Sequence, residues 1–283
     1  MSLRTFRRKV VNVVMLTLTG VCAVFTVSIL FFILGYLVYN GGKSLNWAFF
    51  TQLPAPVGEA GGGMANAIVG SAKLLLLAAM VGVPVGLLGG LYLAEFGGRA
   101  VPFVVRYVAD LLNGVPSIVI GIFAYAVIVL RARHFSTWAG GLALGFMMAP
   151  IVLRSTEEFL RAVPRTMREG AMALGASKWR MISSVVIPAA SRGIVTAILL
   201  ALARVAGETA PLLFTAFGNR FWSPGWMQPT ASLPVMIYTY AVGPYEDWHQ
   251  QAWAAGLVLL GLVLVTNVAV RLIVSRGMSA QRP

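Results

Sequence analysis

The chain has 283 residues, of which 58% are hydrophobic and 11% charged, and its formal net charge is +13. This small number of polar residues cannot cover the surface of a soluble domain of this size. We therefore expect an all-α, polytopic membrane protein. Basic residues cluster at the ends of apolar runs and form no stripe with interleaved aromatics, which argues against nucleic-acid binding. The single cysteine, Cys22, excludes a disulfide framework, and no Cys/His cluster has metal-ligand spacing.

Long apolar runs define the predicted membrane spans. The first run continues without a charge from Val10 to Gly42, longer than the apolar region of a signal peptide and without a small-residue cleavage pattern, so we keep it as a span. Roughly 20 apolar residues cross the hydrocarbon core of a bilayer. We therefore predict a single transmembrane domain over residues 1–283, with spans at 11–39, 67–93, 113–130, 136–154, 192–217 and 252–273.

The distribution of basic residues predicts the orientation, because cytoplasmic segments carry an excess of Lys and Arg. With the N terminus inside, the outer segments hold Lys43, Arg131, Arg133 and Arg220. The inner segments hold Arg4, Arg7, Arg8, Lys9, Arg99, Arg106, Arg154, Arg161, Arg165, Arg168, Lys178, Arg180, Arg192, Arg271, Arg276 and Arg282. We predict that both termini are cytoplasmic and that the chain lies in the cell inner membrane. Lys73, at the start of the second span, is expected to extend its ammonium group outward.

Small residues and proline mark the second and third spans. Gly82, Gly86 and Gly90 recur at four-residue spacing and predict the close approach of another helix. The third span opens with NGVPSIVIG, which predicts an irregular helix start that includes Asn113 and Ser117. This start is either a simple loop-to-helix boundary or a place where free backbone N–H groups meet an anion.

A long basic loop, residues 157–190, separates the fourth and fifth spans. Pro164 can start a helix, Gly175 fits the left-handed position that ends one, Ser177 can cap a second helix and Pro188 can stop it. We expect a helix–glycine–helix elbow on the cytoplasmic face. An amphipathic loop resting on lipid headgroups is the simpler alternative.

The fifth span contains the charged stretch RVAGETAPLL, from Arg204 to Leu213. Arg204 follows Arg192 by 12 residues, which at about 1.5 Å per residue places it roughly 18 Å into the bilayer. An arginine at that depth should face the bundle interior or a water-filled path. Glu208, one helical turn further along, either forms an internal ion pair with Arg204 or holds it while its guanidinium binds a passing anion.

The segment between the fifth and sixth spans is rich in tryptophan, tyrosine and proline. Aromatic rings favour the headgroup zone, so we expect this segment to lie along the outer interface, with a short re-entrant helix around SLPVMIYTYA. Docking of an external partner there is the alternative.

Catalytic motifs are missing from the sequence. GGKS, residues 41–44, lacks the glycine that a P-loop requires five positions before Gly42, where Leu37 stands. Glu157 and Glu158 are adjacent and point to different helix faces, and the two histidines are isolated. We therefore expect no enzymatic activity and no cofactor or metal in this chain.

The elbow resembles the EAA loop of ABC importer permeases. The pattern of that loop is E-A-A-x3-G-x9-I-x-L-P. It is matched here by Glu169, Gly170 and Ala171, by Gly175 after three further residues, and by Val185, Ile187 and Pro188 after nine more. Gly170 departs from the usual second alanine, and Val185 and Ile187 are conservative replacements for the isoleucine and leucine of the pattern. The resemblance implies a six-helix, type-1 ABC permease bundle whose elbow is the coupling helix that sits in a groove of a separate ATPase. The resemblance assigns the turn to Gly175. The candidates for the docking surface are Glu169, Ala171, Leu174, Ala176 and Ser177, and Gly170 and Pro188 complete the predicted ATPase-coupling loop.

Three further segments, NGVPSIVIGIF, ARVAGETAPLLFTAFG and ASLPVMIYTYA, are similar to the phosphate-specific (Pst) permeases of this group. The resemblance implies import of inorganic phosphate, with Arg204, Glu208, Thr209, Asn113 and Ser117 as candidates for the substrate pathway. It also implies a PstC-type sister permease, a dimer of PstB-type ATPase subunits that use ATP and Mg, and an extracytoplasmic PstS-type phosphate-binding protein. The alternatives are a permease for another oxyanion or small solute and a non-transporting membrane scaffold or regulator.

Overall fold

The computed structural model describes residues 3–59, 61–98 and 100–279, and this part of the chain contains eleven helices and no sheet strand. The helices are α1 (Leu3–Ser44), α2 (Trp47–Thr51), α3 (Ala65–Glu95), α4 (Ala100–Gly114), α5 (Ser117–Ala132), α6 (Thr137–Ala162), α7 (Arg165–Ala173), α8 (Lys178–Ala206), α9 (Ala210–Thr215), α10 (Leu233–Ala241) and α11 (Glu246–Ser279). Arg99 and Arg282 of the charge count lie outside the described residues, as does the side chain of Arg276.

Five of these helices, α1, α3, α6, α8 and α11, are long and apolar enough to cross a membrane. Helices α4 and α5 pass the same test only as a pair, and the chain bends by 105° between them. Counting that pair as one broken span gives six. The prediction of an all-α, polytopic membrane protein is therefore confirmed.

Helices α3 and α6 form the tightest pair in the bundle, and their small residues explain why. A Cβ atom added to Gly86 would lie 2.5 Å from the Cβ of Val152, a distance that real Cβ atoms do not tolerate. The other close approaches are Gly82 to Met148, Gly90 to Thr156, Gly141 to Leu77 and Gly145 to Val81. Residue numbers rise together along both helices, so the helices run parallel. The predicted close approach at the second span is confirmed.

The third predicted span, 113–130, starts too early. Helix α4 includes Asn113 and ends at Gly114, and helix α5 begins only at Ser117. Proline disfavours the helical conformation of the residue before it and has no N–H to donate, so no regular helix continues through Val115 and Pro116. The irregular start predicted here is real, but it is a sharp bend between two helices.

The spans on either side of the basic loop are both longer on that side than predicted. Helix α6 continues to Ala162 rather than 154, and α8 begins at Lys178 rather than 192. Pro188 does not stop the helix, because a π-helical turn at Ile182–Val186 precedes it and the N–H of Ile187 bonds to the carbonyl of Ile182. Pro188 therefore stands in the first turn of the next α-helical stretch, where its missing N–H costs little.

The two ends of the bundle differ in character. The end of α3 at Glu95 lies beside α7 and the start of α8, and we call this the elbow side. At the opposite side, Lys73 is half-buried, and its Nζ donates to the carbonyl of Ser223 at 2.8 Å. Helix α10 is the short helix predicted around SLPVMIYTYA, and its Leu233 N–H donates to the Ser71 hydroxyl at 2.7 Å.

Helix α1 packs on the outside of the bundle against α11. Its Gly41 lies against the carbonyl of Trp253, and the rings of Tyr36 and Trp253 meet edge to face at 5.2 Å. The remaining surface of α1 is apolar and exposed along most of its length. This surface suits lipid or another membrane subunit.

Candidate functional site

The elbow is a hydrogen-bonded turn with the geometry that its sequence predicts. Gly175 has a φ of +82°, the left-handed conformation that favours glycine. Its N–H donates to the carbonyl of Met172 at 2.9 Å, and the Ala176 N–H donates to the carbonyl of Ala171 at 3.1 Å. The Ser177 hydroxyl then accepts the Arg180 N–H at the start of α8. These bonds satisfy the free groups at the end of α7 and the start of α8, so the two helices meet at a defined angle.

The tip of the elbow is apolar and exposed. Leu174 has a relative exposure of 91%, and Met172 and Trp179 beside it are also exposed. The other residues of the predicted ATPase-coupling loop differ in exposure: Ala171 and Ala176 are half-buried, and the exposed ones are Glu169, Gly170, Gly175, Ser177 and Pro188. Ala171 packs inward on an apolar cluster that includes Val163 and Met181. Trp179 was not among the predicted residues.

A buried carboxylate lies above the elbow, in the last turns of α6. The side chain of Glu157 is 2% exposed and contacts the guanidinium groups of Arg106 at 2.7 Å, Arg154 at 3.0 Å and Arg161 at 3.0 Å. Arg154 also binds Asp110 of α4 at 2.9 Å. The network thus ties α4, the first half of the broken span, to α6.

From the sequence alone, Glu157 stands out only as a poor partner for Glu158 in a catalytic carboxylate pair. The two do point to different faces, since Glu158 is exposed. A usable signal was present, because Arg154, Glu157 and Arg161 follow one another at i, i+3 and i+7 and so share one face of a helix. The partner Arg106, 51 residues away, could not be paired with them from spacing alone.

Arg204 lies in the last turn of α8, at mid-height in the bundle. Its neighbour Val205 belongs to the same apolar cluster as Ala78 and Met148, which lie near the midpoints of α3 and α6. The Arg204 side chain itself is exposed. The side chain therefore points away from the packed interior of this chain.

The ion pair between Arg204 and Glu208 is not formed. Within the described residues the two side chains make no contact under 4.0 Å, because α8 ends at Ala206 and Glu208 is no longer one helical turn above Arg204. Gly207 is a poor helix former, and Pro211 cannot donate to the carbonyl of Gly207. The predicted span 192–217 is thus the end of α8, a break at 207–209 and the short helix α9.

The two helix breaks lie on neighbouring elements. Helix α5 packs against α9 at Gly121, where an added Cβ would lie 2.7 Å from the Cα of Pro211. Ser117 is one turn before Gly121 on α5, and Asn113 lies at the end of α4. Asn113, Ser117, Glu208 and Thr209 are all half-exposed, and their side chains make no hydrogen bond to described residues. The geometry therefore leaves the predicted pathway residues accessible around the two breaks.

Comparison with known proteins gives a consistent assignment. The family model described as "Binding-protein-dependent transport system inner membrane component" matches residues 82–277. The phosphate transport system permease protein PstA of Yersinia pestis is 44% identical over 270 residues, covering 95% of this chain and 92% of that protein. PstA of Xylella fastidiosa strain Temecula1 is 45% identical over 96% of this chain and 95% of its own length. The probable phosphate transport system permease protein PstA of Methanocaldococcus jannaschii is 34% identical over 93% of this chain and 94% of its own length.

Solved structures agree on the fold. An inward-facing structure of the MetNI methionine ABC transporter aligns with a TM-score of 0.55 at 19% identity, covering 74% of this chain and 92% of the other. An amino acid ABC transporter crystallised with histidines aligns with a TM-score of 0.52, at 18% identity over 75% and 90% of the two chains. At these identities the likeness concerns the fold alone. Taken with the family match over the larger part of its length, it means that this chain belongs to the binding-protein-dependent transport system inner membrane components.

Proposed function

We propose that this chain is a permease subunit of an ATP-driven importer that carries inorganic phosphate across the membrane into the cytoplasm. The observation that carries the proposal is the match to phosphate transport permeases of the PstA type, at 44% and 45% identity over at least nine-tenths of both chains. The motifs NGVPSIVIG and RVAGETAPLL, which predict a phosphate-specific permease, form the two adjacent helix breaks.

The exposure of Arg204 supports a pathway at a subunit interface. An unpaired arginine in mid-membrane costs about 2.5 to 3.5 kcal/mol on insertion scales, so it is not expected to face lipid. Another subunit or a water-filled path must cover the face of α8 that carries it. A PstC-type sister permease would supply that cover, and the planar guanidinium suits bidentate contact with phosphate.

The elbow supports a partner that supplies the energy. Exposed Leu174, Met172 and Trp179 form an apolar tip that water solvates poorly, and the rigid turn at Gly175 presents it in one orientation. We propose that this tip docks on a PstB-type ATPase dimer, which would bind ATP and Mg. The elbow side is then cytoplasmic, and an extracytoplasmic PstS-type protein would deliver phosphate at the opposite side.

The test is phosphate uptake by proteoliposomes that contain this chain with its sister permease, ATPase and binding protein. We expect ATP-dependent uptake of labelled phosphate that unlabelled phosphate suppresses and that equal concentrations of sulfate or molybdate leave unchanged. Suppression by sulfate or molybdate at the same concentration would assign the chain to another oxyanion. Failure of any ATPase subunit to copurify with the chain would favour a scaffold or regulator.

A further inference from the structure

The end of helix α3 is held by basic side chains that come from the elbow. Arg168 of α7 forms an ion pair with the carboxylate of Glu95. Lys178, the first residue of α8, donates from its Nζ to the backbone carbonyl of Glu95 at 2.7 Å and lies 4.6 Å from the ring centre of Phe96. Both arms of the elbow are thus fastened to the same helix end.

Arg168 also reaches the neighbouring helix. Its Nη2 donates to the carbonyl of Leu160, in the last turn of α6, at 2.6 Å. Arg161 of α6 donates in turn to the carbonyl of Leu93 in α3 at 3.2 Å. One set of contacts therefore joins four elements: the ends of the parallel helices α3 and α6, and the two arms of the elbow.

The ion pair between Glu95 and Arg168 is buried, and the basic groups around it match the charge of the helix end. The side chain of Glu95 is 4% exposed and that of Arg168 is 17% exposed, so water competes little for the ion pair. The last carbonyls of a helix have no partner within the helix and carry partial negative charge, which favours cations at this position. The contacts face the bundle, whereas Leu174 at the tip of the elbow faces away from it.

We infer that Glu95 and Arg168 form a latch that makes the elbow and the pair α3 and α6 move as one body when the ATPase displaces the elbow. The inference rests on the proposed function, because it assumes an ATPase at the elbow tip. The covalent connection alone would not suffice, since residues 163 and 164 between α6 and α7 are outside the helices and can bend. The ion pair between Glu95 and Arg168 restrains bending at these two residues, because it fixes α7 to the end of α3. Glu95 and Arg168 are positioning residues, remote from the proposed phosphate path.

The latch is tested in the reconstituted transporter with Glu95→Gln, Arg168→Gln and Arg168→Lys. The readout is the amount of phosphate transported per ATP hydrolysed, together with the amount of ATPase that copurifies with the chain. We expect the ratio to fall about fivefold or more in both glutamine variants, which lose a charge-assisted bond, while the ATPase stays bound. Arg168→Lys keeps a cation opposite Glu95 and should retain most of the ratio. Glu158→Gln, which removes an exposed carboxylate without an ion pair among the described residues, is the matched control.

The outcomes separate the latch from the proposed function. An unchanged ratio in assembled Glu95→Gln and Arg168→Gln complexes overturns the latch and leaves the permease assignment intact. Equal amounts of phosphate transported per ATP in Arg168→Lys and Arg168→Gln also overturn the latch. This comparison does not depend on Glu95→Gln, so it remains decisive if that variant fails to assemble. A parental complex that hydrolyses ATP without transporting phosphate refutes the proposed function and the latch with it.

Discussion

Arginine side chains in this protein are found in two contrasting settings. Three of them surround buried Glu157, where each guanidinium has a carboxylate oxygen within 3.0 Å. Arg204 is exposed at mid-height and has no carboxylate partner among the described residues. Pairing lets the first group remain fixed within the fold. The absence of a partner leaves all five donors of Arg204 available to a ligand or another subunit.

Neutralising Glu157 should destabilise the protein. Glu157→Gln leaves Arg106, Arg154 and Arg161 without their shared anion, and we expect a loss of about 2 to 3 kcal/mol, moderated because Arg161 is half-exposed. For a chain of this size that corresponds to a fall of roughly 5 to 10 °C in the apparent melting temperature in detergent. Glu158→Gln, the exposed neighbour, should leave the melting temperature unchanged. Equal effects of the two substitutions would contradict a structural role for the network.

Substituting Arg204 should affect transport and leave assembly intact. Arg204→Gln removes the charge and the fork of donors, and we expect the rate of phosphate uptake to fall about ten- to hundredfold, the worth of a charged hydrogen bond. Arg204→Lys keeps the charge without the bidentate geometry, so its rate of phosphate uptake should lie between those of the parental protein and Arg204→Gln. Uptake and the level of assembled complex are measured separately. Arg131→Gln, an exposed arginine at the end of α5, is the control.

The substrate-contact hypothesis for Arg204 is refuted if either variant assembles normally and transports at the original rate. Loss of assembly in both variants would instead indicate that Arg204 holds the subunit interface together.

Glycine and proline shape the helices of this chain, and only some of their effects could be predicted from the sequence. The stripe from Gly82 to Gly90 and the turn at Gly175 followed from sequence, because both depend on residues within one element. The path of the chain at Pro188 did not follow, since a π-helical turn upstream absorbs the missing N–H and lets the helix continue. The sequence shows where a helix can break. Whether it breaks at Pro188 depends on how α8 packs against α6 and the neighbouring apolar cluster.

The close packing of α3 on α6 can be tested with a single methyl group. Gly86→Ala places a Cβ 2.5 Å from the Cβ of Val152, so the helices must move apart, and we expect a destabilisation of about 1 to 3 kcal/mol. Gly20→Ala in α1 is the control, because nothing lies within 4 Å of the added atom. Thermal unfolding in detergent compares the two variants. A Gly86→Ala protein as stable as the control would show that the helices are not in this close contact.

At the scale of the whole chain, hydropathy was sufficient to predict the class of fold. It was not sufficient to predict the two ion-pair groups on the elbow side. Glu157 meets Arg106, and Glu95 meets Arg168, across 51 and 73 residues of sequence. Such pairs depend on the parallel packing of α3 and α6 and on the bend after α4, so no local pattern contains them. The predicted ion pair between Arg204 and Glu208 depended on an unbroken helix and was wrong, because α8 ends at Ala206.

Orientation is the remaining property of the whole molecule that sequence predicts through the excess of basic residues on one side. In a background without Cys22, a cysteine at Glu59, in the loop before α3, should react with a membrane-impermeant maleimide applied to intact cells. A cysteine at Arg165, the first residue of α7, should react only after the membrane is opened. The parental Cys22 lies within the apolar stretch of α1 and serves as an unlabelled control in both conditions. The reverse pattern would place the elbow outside the cell, where no ATPase could reach it, and would overturn both the predicted topology and the coupling role.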